Sequence, residues 1–353
     1  MTNPLFALDA PRIYGYSTGR VKAMKSLLLR ASHLDEMVRV HNVEAVVELL
    51  QKTDYKPDLA AASLGQQGSR IIEMGVSSNF SKVVKKLMSA TPENDRKALR
   101  ALLIRWELNN LKILLNARRL GKDYEEIRPY LFEVGGMDEE DFAHIIKADE
   151  AGLTRELRKT ELGAKMLNLM PGGSHKQDAI AKLEAAIDSE IYAIMDRALA
   201  GTGNQDVAPI RRLLKKEADA RNIMIIERLK LHGTPRDKIE ASLIRGGTLD
   251  KQTIGRLLEA KELSALPALL KQRFPNLEIK GEGRKALAEL EISLEKSLAA
   301  QKLKAFHASV LSVGVIMGFL MLKEEEANNL RKIAKGKEFN MPEAEVRDML
   351  IVI

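Results

Sequence analysis

Three stretches of the chain read Glu107-Leu108-Asn109-Asn110, Asp219-Ala220-Arg221-Asn222 and Glu326-Ala327-Asn328-Asn329. Each places an acidic residue three positions before an asparagine. After each asparagine there follow a turn-forming residue at position +11 and an apolar pair at +17 and +21. These are Gly121, Gly233 and Asn340, then Ile127/Leu131, Ile239/Leu243 and Val346/Leu350. The asparagines are 112 and 107 residues apart. This period is too long for a solenoid repeat and predicts three copies of one small helical domain.

Glycine pairs divide the chain at the same period. Gly135-Gly136 and Gly246-Gly247 each come shortly after the closing apolar pair of a copy. Since paired glycines mark turns and loops, we predict three repeats at residues 1–136 (with an N-terminal extension), 137–247 and 248–353. A second landmark keeps this period: Leu50…Thr53, Leu157…Thr160 and, more weakly, Leu270…Arg273.

The composition predicts an all-α protein. Aromatic residues are only 4% of the 353 residues, whereas Leu, Ala, Lys, Arg, Glu and Met, which favour helices, are abundant. Cysteine is absent, which excludes disulfides and is typical of a reducing cytoplasm. The longest apolar stretch, residues 308–322, is shorter than the roughly 20 residues that span a bilayer. We therefore expect it to be a buried helix.

The repeated turns carry signals for the start of a second, short helix. Thr234-Pro235 followed by Asp237 predicts a threonine cap before a proline at the first helical position. Asp123 and Glu126 predict a capping box in the first repeat.

No pattern in the sequence indicates catalysis. The six histidines form no paired metal-binding motif, and no glycine-rich phosphate loop has the required spacing. We expect no catalytic residue, no cofactor-binding residue and no metal ligand. The repeated acid and asparagine, Glu107/Asn110, Asp219/Asn222 and Glu326/Asn329, are interpreted as structural. An asparagine on a helix can hydrogen-bond the backbone of the next turn or of a packed loop.

Basic residues recur after each repeated helix, in a chain of net charge +7. We call the set the basic rim: Arg118, Arg119, Lys122, Arg228, Lys230, Arg236, Lys335 and Lys337. One interpretation is that these cations stabilise helix C-termini. The other is that, if the three repeats close into a ring, the turns gather on one side and contact an anionic partner.

The chain resembles a known family in three segments. They are Tyr14-Gly15-Tyr16 with Gly19-Arg20-Val21, Trp106–Leu111, and the run from Leu311–Ile316 through Asn329-Leu330-Arg331. These segments resemble the C subunit of archaeal A-type and bacterial V-type ATP synthases, whose eukaryotic counterpart is the d subunit of the vacuolar ATPase. The resemblance extends over about residues 13–350.

This resemblance implies a funnel of three similar helical subdomains around a pseudo-threefold axis. It further implies a non-catalytic central-stalk subunit of a proton- or sodium-translocating rotary ATP synthase. Such a subunit is the socket that joins the membrane rotor ring to the central shaft and transmits torque. Its partners would be the ring and shaft subunits, it would bind no nucleotide, and it would lie peripherally on the cytoplasmic face of the membrane.

The alternative function is that of a basic helical protein that binds nucleic acid. It would place Arg211-Arg212 and Lys215-Lys216, together with the basic rim, against phosphates. Such binding would weaken steeply with salt, because neutralised phosphates release counterions. The resemblance argues against a nucleic-acid partner.

Overall fold

A computed structural model describes residues 4–159, 162–164, 167, 177–308 and 310–352. Every regular element among these residues is an α-helix or a short 3-10 segment, so the all-α prediction is confirmed. Thr160 of the second landmark lies outside the described residues.

Each repeat contains two long helices, preceded by shorter ones and followed by one short helix. The first repeat and its extension hold α1 (Pro4–Ser26), α2 (Ala31–Arg39), α3 (Val43–Leu50), α4 (Lys56–Ala62), α5 (Ser69–Ala90), α6 (Arg96–Arg119) and α7 (Tyr124–Ile127). The second holds α8 (Glu139–Lys147), α9 (Glu150–Arg158), α10 (Gln177–Ala200), α11 (Ala208–Leu231) and α12 (Arg236–Ala241). The third holds α13 (Lys251–Glu259), α14 (Leu266–Leu270), α15 (Gly283–His307), α16 (Val313–Glu338) and α17 (Glu343–Met349).

The six long helices contact one another in a cyclic order. The second long helix of each repeat packs against the first long helix of the next: α6 on α10, α11 on α15, and α16 on α5. The last of these contacts joins the third repeat to the first. The N-terminal helix α1 packs on α16 and α5, at that same junction.

The peripheral hydrophobic cores also lie across the junctions between repeats. One core combines Leu330 and Val346 of the third repeat with Leu34 and Val46 of the first. Another packs Ile223 and Ile226 from α11 with residues of α13, α14 and α15. Because neighbouring repeats share cores, the division at residues 136 and 247 stays a prediction about the sequence repeats.

The apolar stretch at residues 308–322 forms a buried helix from Val313 onward. Residues 313–322 are all buried, and Ser312 Oγ caps the helix by accepting from Gly314 N at 3.1 Å. Gly318 lies against helix α15, where a β-carbon on it would approach Phe306 Cα to 2.7 Å. The prediction of a buried helix is therefore confirmed. In the described part of the chain, no helix has the length and apolar character needed to cross a bilayer.

The three repeated turns share one backbone geometry. Gly121, Gly233 and Asn340 have φ values of 63°, 68° and 52°, in the left-handed region that glycine and asparagine tolerate best. The residue after each one donates its N–H back into the helix, as Thr234 N does to Leu229 O at 3.0 Å. These turns end the second long helices abruptly.

Of the two predictions about how the short helices begin after these turns, one is confirmed and one is wrong. Asp123 and Glu126 form the expected capping box. The threonine cap is wrong: α12 begins at Arg236, its N-cap is Pro235, and no side chain caps it. The physical reason is that Pro235 is extended, at ψ 145°, so the helix starts one residue later than predicted and Thr234 lies outside the capping position.

The close approach at Gly318 yields a prediction. Gly318→Ala places a methyl group against the backbone of α15, so we expect a loss of about 1–3 kcal/mol from the free energy of unfolding. Gly15→Ala is the matched control, since no atom lies within 4 Å of a β-carbon at this helical glycine. Urea unfolding followed by circular dichroism measures both. Equal midpoints for the two variants would contradict the close packing.

Candidate functional site

Each of the three asparagines makes the same two hydrogen bonds to a residue 22 positions further along. Asn110 Nδ2 donates to Phe132 O at 2.6 Å, and Phe132 N donates back to Asn110 Oδ1 at 3.0 Å. The other two pairs are Asn222 with Ile244 (2.9 and 2.7 Å) and Asn329 with Ile351 (2.6 and 2.9 Å). A side-chain amide carries both a donor and an acceptor, so it satisfies both backbone groups at once. We call these the asparagine clamps.

The acidic residues of the first two repeats contact the glycine pairs at the predicted boundaries, since Glu107 lies at Gly135 and Asp219 lies at Gly247. Asp219 Oδ1 accepts from Thr248 N at 2.6 Å and from Leu249 N at 3.0 Å. Glu107 lies against Gly135, where a β-carbon would come within 1.7 Å of its Oε1. Both glycine boundaries are therefore also sites of close approach.

The third acid, Glu326, contacts the first repeat. Glu326 Oε2 accepts from Leu29 N, and its Oε1 accepts from Tyr55 Oη at 2.7 Å. Leu29 lies two residues before α2, just as Leu249 lies two residues before α13. The joint that links the repeats in sequence is thus used again to close the third repeat onto the first.

Three members of the basic rim hold the C-terminal carbonyls of a helix in the next repeat. Each lies eight residues after its clamp asparagine. Arg118 donates to Ile145 O at 2.6 Å and Ala148 O at 2.7 Å, at the end of α8. Lys230 donates to Leu257 O and Ala260 O, both at 2.7 Å, at the end of α13. Lys337 donates to Val38 O near the end of α2. These cations satisfy carbonyls that a helix end leaves open, and they complement its dipole.

The other five rim residues have partners close to them in sequence or on a neighbouring helix. They are Arg119 with Asn116 (2.9 Å), Lys122 with Glu126 (2.7 Å), Arg228 with Glu291 (2.6 Å), Arg236 with Glu240 (2.8 Å) and Lys335 with Glu338 (2.7 Å). Most of these pairs are exposed, and exposed ion pairs stabilise a fold by only about 0–1 kcal/mol. The five side chains are therefore open to an external partner in a way that Arg118, Lys230 and Lys337 are not.

A charge cluster joins all three repeats where their second long helices meet. Arg105, Glu217 and Glu324 each lie five residues before a clamp asparagine, so they occupy equivalent positions. Arg105 binds Glu324 at 3.0 Å through Nη1 and binds Glu217 through Nη2. We call this the axial cluster, because equivalent positions of three repeats can touch one another only near their common axis.

The axial cluster lies in a buried, strongly ionised environment. Burial opposes the charge on Arg105, but the carboxylates of Glu217 and Glu324 outweigh it, so the pKa of the guanidinium is raised. Burial also raises the pKa of Glu217, yet Arg105 and Lys302 outweigh that effect and leave it lowered. Lys302 lies 3.4 Å from Glu217 and also pairs with Glu325. Every charge in this cluster therefore has an opposite charge beside it.

A cavity of about 1190 Å³ adjoins the axial cluster. Its wall is formed largely by the long helices, and seven basic and six acidic side chains line it. Asn109 and Arg221 in the wall are exposed to solvent, so the cavity is open. In the described ranges no group of three or more His, Cys, Asp or Glu side chains has the geometry of a metal site.

The cluster that the nucleic-acid alternative needs is largely engaged within the chain. Arg211 binds Asp196 at 2.7 Å, and Lys215 lies 3.5 Å from the same carboxylate. Lys216 donates to Arg273 O at 3.4 Å. Arg212 is exposed, so the single Asp196 carboxylate offsets only part of the positive charge at this position.

The asparagine clamps yield a second prediction. Asn110→Ala leaves the buried N–H of Phe132 without a partner and removes one of the two donors to its C=O, since Val134 N also donates to Phe132 O at 2.9 Å. We therefore expect the free energy of unfolding to fall by about 1–3 kcal/mol. The neighbouring Asn109→Ala is the matched control, because Asn109 is exposed. Both are measured by chemical denaturation, and a loss below about 1 kcal/mol for Asn110→Ala would argue against the clamp.

The axial cluster yields a third prediction, about how the effect of a mutation on stability depends on pH. Arg105→Gln removes the cation shared by Glu217 and Glu324, and we expect a loss of about 3 kcal/mol at neutral pH. The lowered pKa of Glu217 means that its ionised form stabilises the fold above its ordinary value of 4.5, and that this stabilisation is lost on acidification. The difference in the free energy of unfolding between wild type and variant should therefore shrink as the pH falls from 4.5 through the lowered pKa of Glu217.

The control for Arg105→Gln is Arg100→Gln, on the exposed side of the same helix. Urea unfolding at a series of pH values measures the difference. A penalty that is independent of pH would contradict an electrostatic role for Arg105.

Comparisons with known proteins agree with this geometry. The chain is similar to the C subunit of the A-type ATP synthase of Methanosarcina acetivorans, with 25% identity over 350 residues that cover 96% of this chain and 93% of the relative. It is similar to the C subunit of the V-type ATP synthase of Thermus thermophilus, with 26% identity over 340 residues, 96% of this chain and 98% of the relative. The model of the ATP synthase (C/AC39) subunit family matches residues 17–349. The chain therefore belongs to the ATP synthase (C/AC39) subunit family.

Proposed function

We propose that this chain is a non-catalytic central-stalk subunit of an A-type or V-type ATP synthase. In this role it is the socket between the membrane rotor ring and the central shaft, and it transmits torque from one to the other. Its three repeats would form a funnel around a pseudo-threefold axis. The observation that carries the proposal is the cyclic contact of the long helices, with an open cavity beside their common axis.

The cavity suits a protein segment better than a small molecule. Its volume of about 1190 Å³ exceeds the roughly 300–1,000 Å³ that is usual for ligand pockets. Its wall is also rich in charged side chains, whereas small-molecule pockets are lined mainly by apolar ones. A helical shaft entering the cavity would meet a wall of mixed charged and apolar side chains.

The joints between repeats suit a part that bears torque. A clamp asparagine, an acid and a basic residue tie each repeat to the segments that follow it, and Glu326 and Lys337 do so across the closing junction. Close-packed helices deform little under load. An applied torque would therefore meet a closed ring of joints, with no free end at which the repeats could part.

The outer surface would face the membrane ring through the exposed part of the basic rim. We restrict this proposal to Arg119, Lys122, Arg236 and Lys335, since Arg118, Lys230 and Lys337 hold helix ends and Arg228 lines the cavity. Contact with the membrane would be peripheral and made through protein, at the cytoplasmic face. The rim would pair with acidic or polar loops of the ring subunits.

Affinity purification of the tagged chain from native membranes tests the proposal. We expect the ring and shaft subunits of the ATP synthase to be recovered with it. If those subunits were absent while the tagged chain is folded and membrane-associated, the proposal would fail.

The same assay tests the rim. Arg119→Glu combined with Arg236→Glu should lower recovery of the ring subunits without lowering recovery of the shaft. Lys97→Glu, at an exposed position near the start of α6, is a control with the same kind of charge reversal. Unchanged ring recovery would remove the rim from the interface.

A further inference from the structure

Several repeat positions differ between the three sides of the cavity wall, among them the one that holds Lys112, Met224 and Arg331, and another carries a charge that lacks a carboxylate partner among the described residues. The residues immediately before the clamp asparagines are Asn109, Arg221 and Asn328, and all three line the cavity. Two of these equivalent positions carry a neutral amide, and the third carries a guanidinium. Arg221 is exposed to solvent, and its guanidinium lies over the Tyr192 ring at 5.7 Å.

Arg221 also differs from the other cations of the wall in its ion pairing. The other six cations each pair with a carboxylate: Arg105 with Glu217 and Glu324, Lys112 with Asp188, Arg228 with Glu291, Lys302 with Glu325, Arg331 with Glu73, and Lys332 with Glu295. Among the described residues, Arg221 has no carboxylate within 4.0 Å. Glu217, one helical turn before it, is occupied by Arg105 and Lys302.

A socket with threefold internal symmetry has a specific difficulty. Three seatings of an inserted part, about 120° apart, are close in energy when the three sides of the socket are alike. A part that transmits torque must occupy one seating, because a mixture of seatings would put the shaft out of register with the ring. A single unpaired charge on one of the three sides makes one seating lower in energy than the other two, since the inserted part can form an ion pair with it in only one orientation.

We propose that Arg221 fixes the rotational register of the partner inserted into the cavity. This inference rests on the proposed function. The partner it fits is a helical protein segment that carries a carboxylate at the depth of Arg221. A guanidinium presents a planar pair of donors that matches a carboxylate, and its stacking on Tyr192 orients that plane in advance.

The first experiment measures affinity. The central-shaft subunits of the same organism's ATP synthase are titrated against wild type and Arg221→Gln. We expect Arg221→Gln to weaken binding about tenfold, as truncating one member of a partly desolvated charge pair does, and we expect the difference to shrink in high salt. Arg256→Gln, at an exposed position on α13, is the control. Thermal melts verify that both variants stay folded.

The second experiment moves the charge to another side of the socket. The double variant Arg221→Asn with Asn328→Arg places the guanidinium four residues after Glu324, just as Arg221 follows Glu217 by four. Because the chain has no cysteine, Asn109→Cys gives a single attachment point for a photo-crosslinker at the third side. We expect the crosslinked peptide of the shaft to change between the Arg221 background and the double variant, because the shaft turns by one repeat.

The possible outcomes separate this inference from the function it rests on. Failure of the wild-type chain to bind the shaft overturns the socket function and the register together. Tight binding by wild type and Arg221→Gln alike, or an unchanged crosslinked peptide in the double variant, overturns the register alone. Weakened binding together with a changed peptide supports it.

Discussion

The central constraint on this fold is that the buried backbone after each repeated turn must find hydrogen bonds. The chain leaves the second long helix, forms one short helix, and returns in a segment without regular structure that is buried at Phe132 and Ile351 and half-buried at Ile244. Such a segment leaves most of its N–H and C=O groups without partners of its own, and an unsatisfied buried group costs about 1–3 kcal/mol. The clamp asparagine supplies both partners from the neighbouring helix. Once that segment is fixed, the acid and the basic residue of the same helix reach the repeat that follows.

The same joint, used three times, produces a closed ring. In the first two repeats it links segments that follow one another in the chain. In the third it links residue 326 to residue 29 and residue 337 to residue 38, so that the last repeat holds the first. The closure brings the second long helices together, and three equivalent positions then meet as Arg105, Glu217 and Glu324. Three like charges there would repel one another. One arginine between two glutamates is the arrangement that lets them approach.

Symmetry and its exceptions also shape the proposed function. A ring of similar repeats gives a stiff part with a central opening, which suits a socket better than an active site. The departures from threefold symmetry lie in the wall of that opening, where Arg221 faces solvent at a position held elsewhere by Asn109 and Asn328. A symmetric frame supports the load. An asymmetric wall provides the means to distinguish one orientation of an inserted partner from the other two.

Local features of the chain are enough to predict the helical class, a buried helix within residues 308–322, the turns at residues 121, 233 and 340 and the period of the repeat. They follow from composition, hydrophobic runs and residues with special backbone freedom. The prediction of a Thr234 cap was wrong because Pro235 is extended rather than helical and itself takes the N-cap position. The axial cluster was missed although Arg105, Glu217 and Glu324 share a repeat position, since equivalent residues touch only where an axis brings them together.

Other features exist only once the repeats have closed on one another. These are the partners of the clamps, the helix ends held by Arg118, Lys230 and Lys337, and the position of Arg221 more than 4.0 Å from every carboxylate of the described residues. Each depends on which distant segments the ring brings into contact. The spacing of residues along one chain carries no such information, because contacts between repeats are made across the axis and not along the sequence.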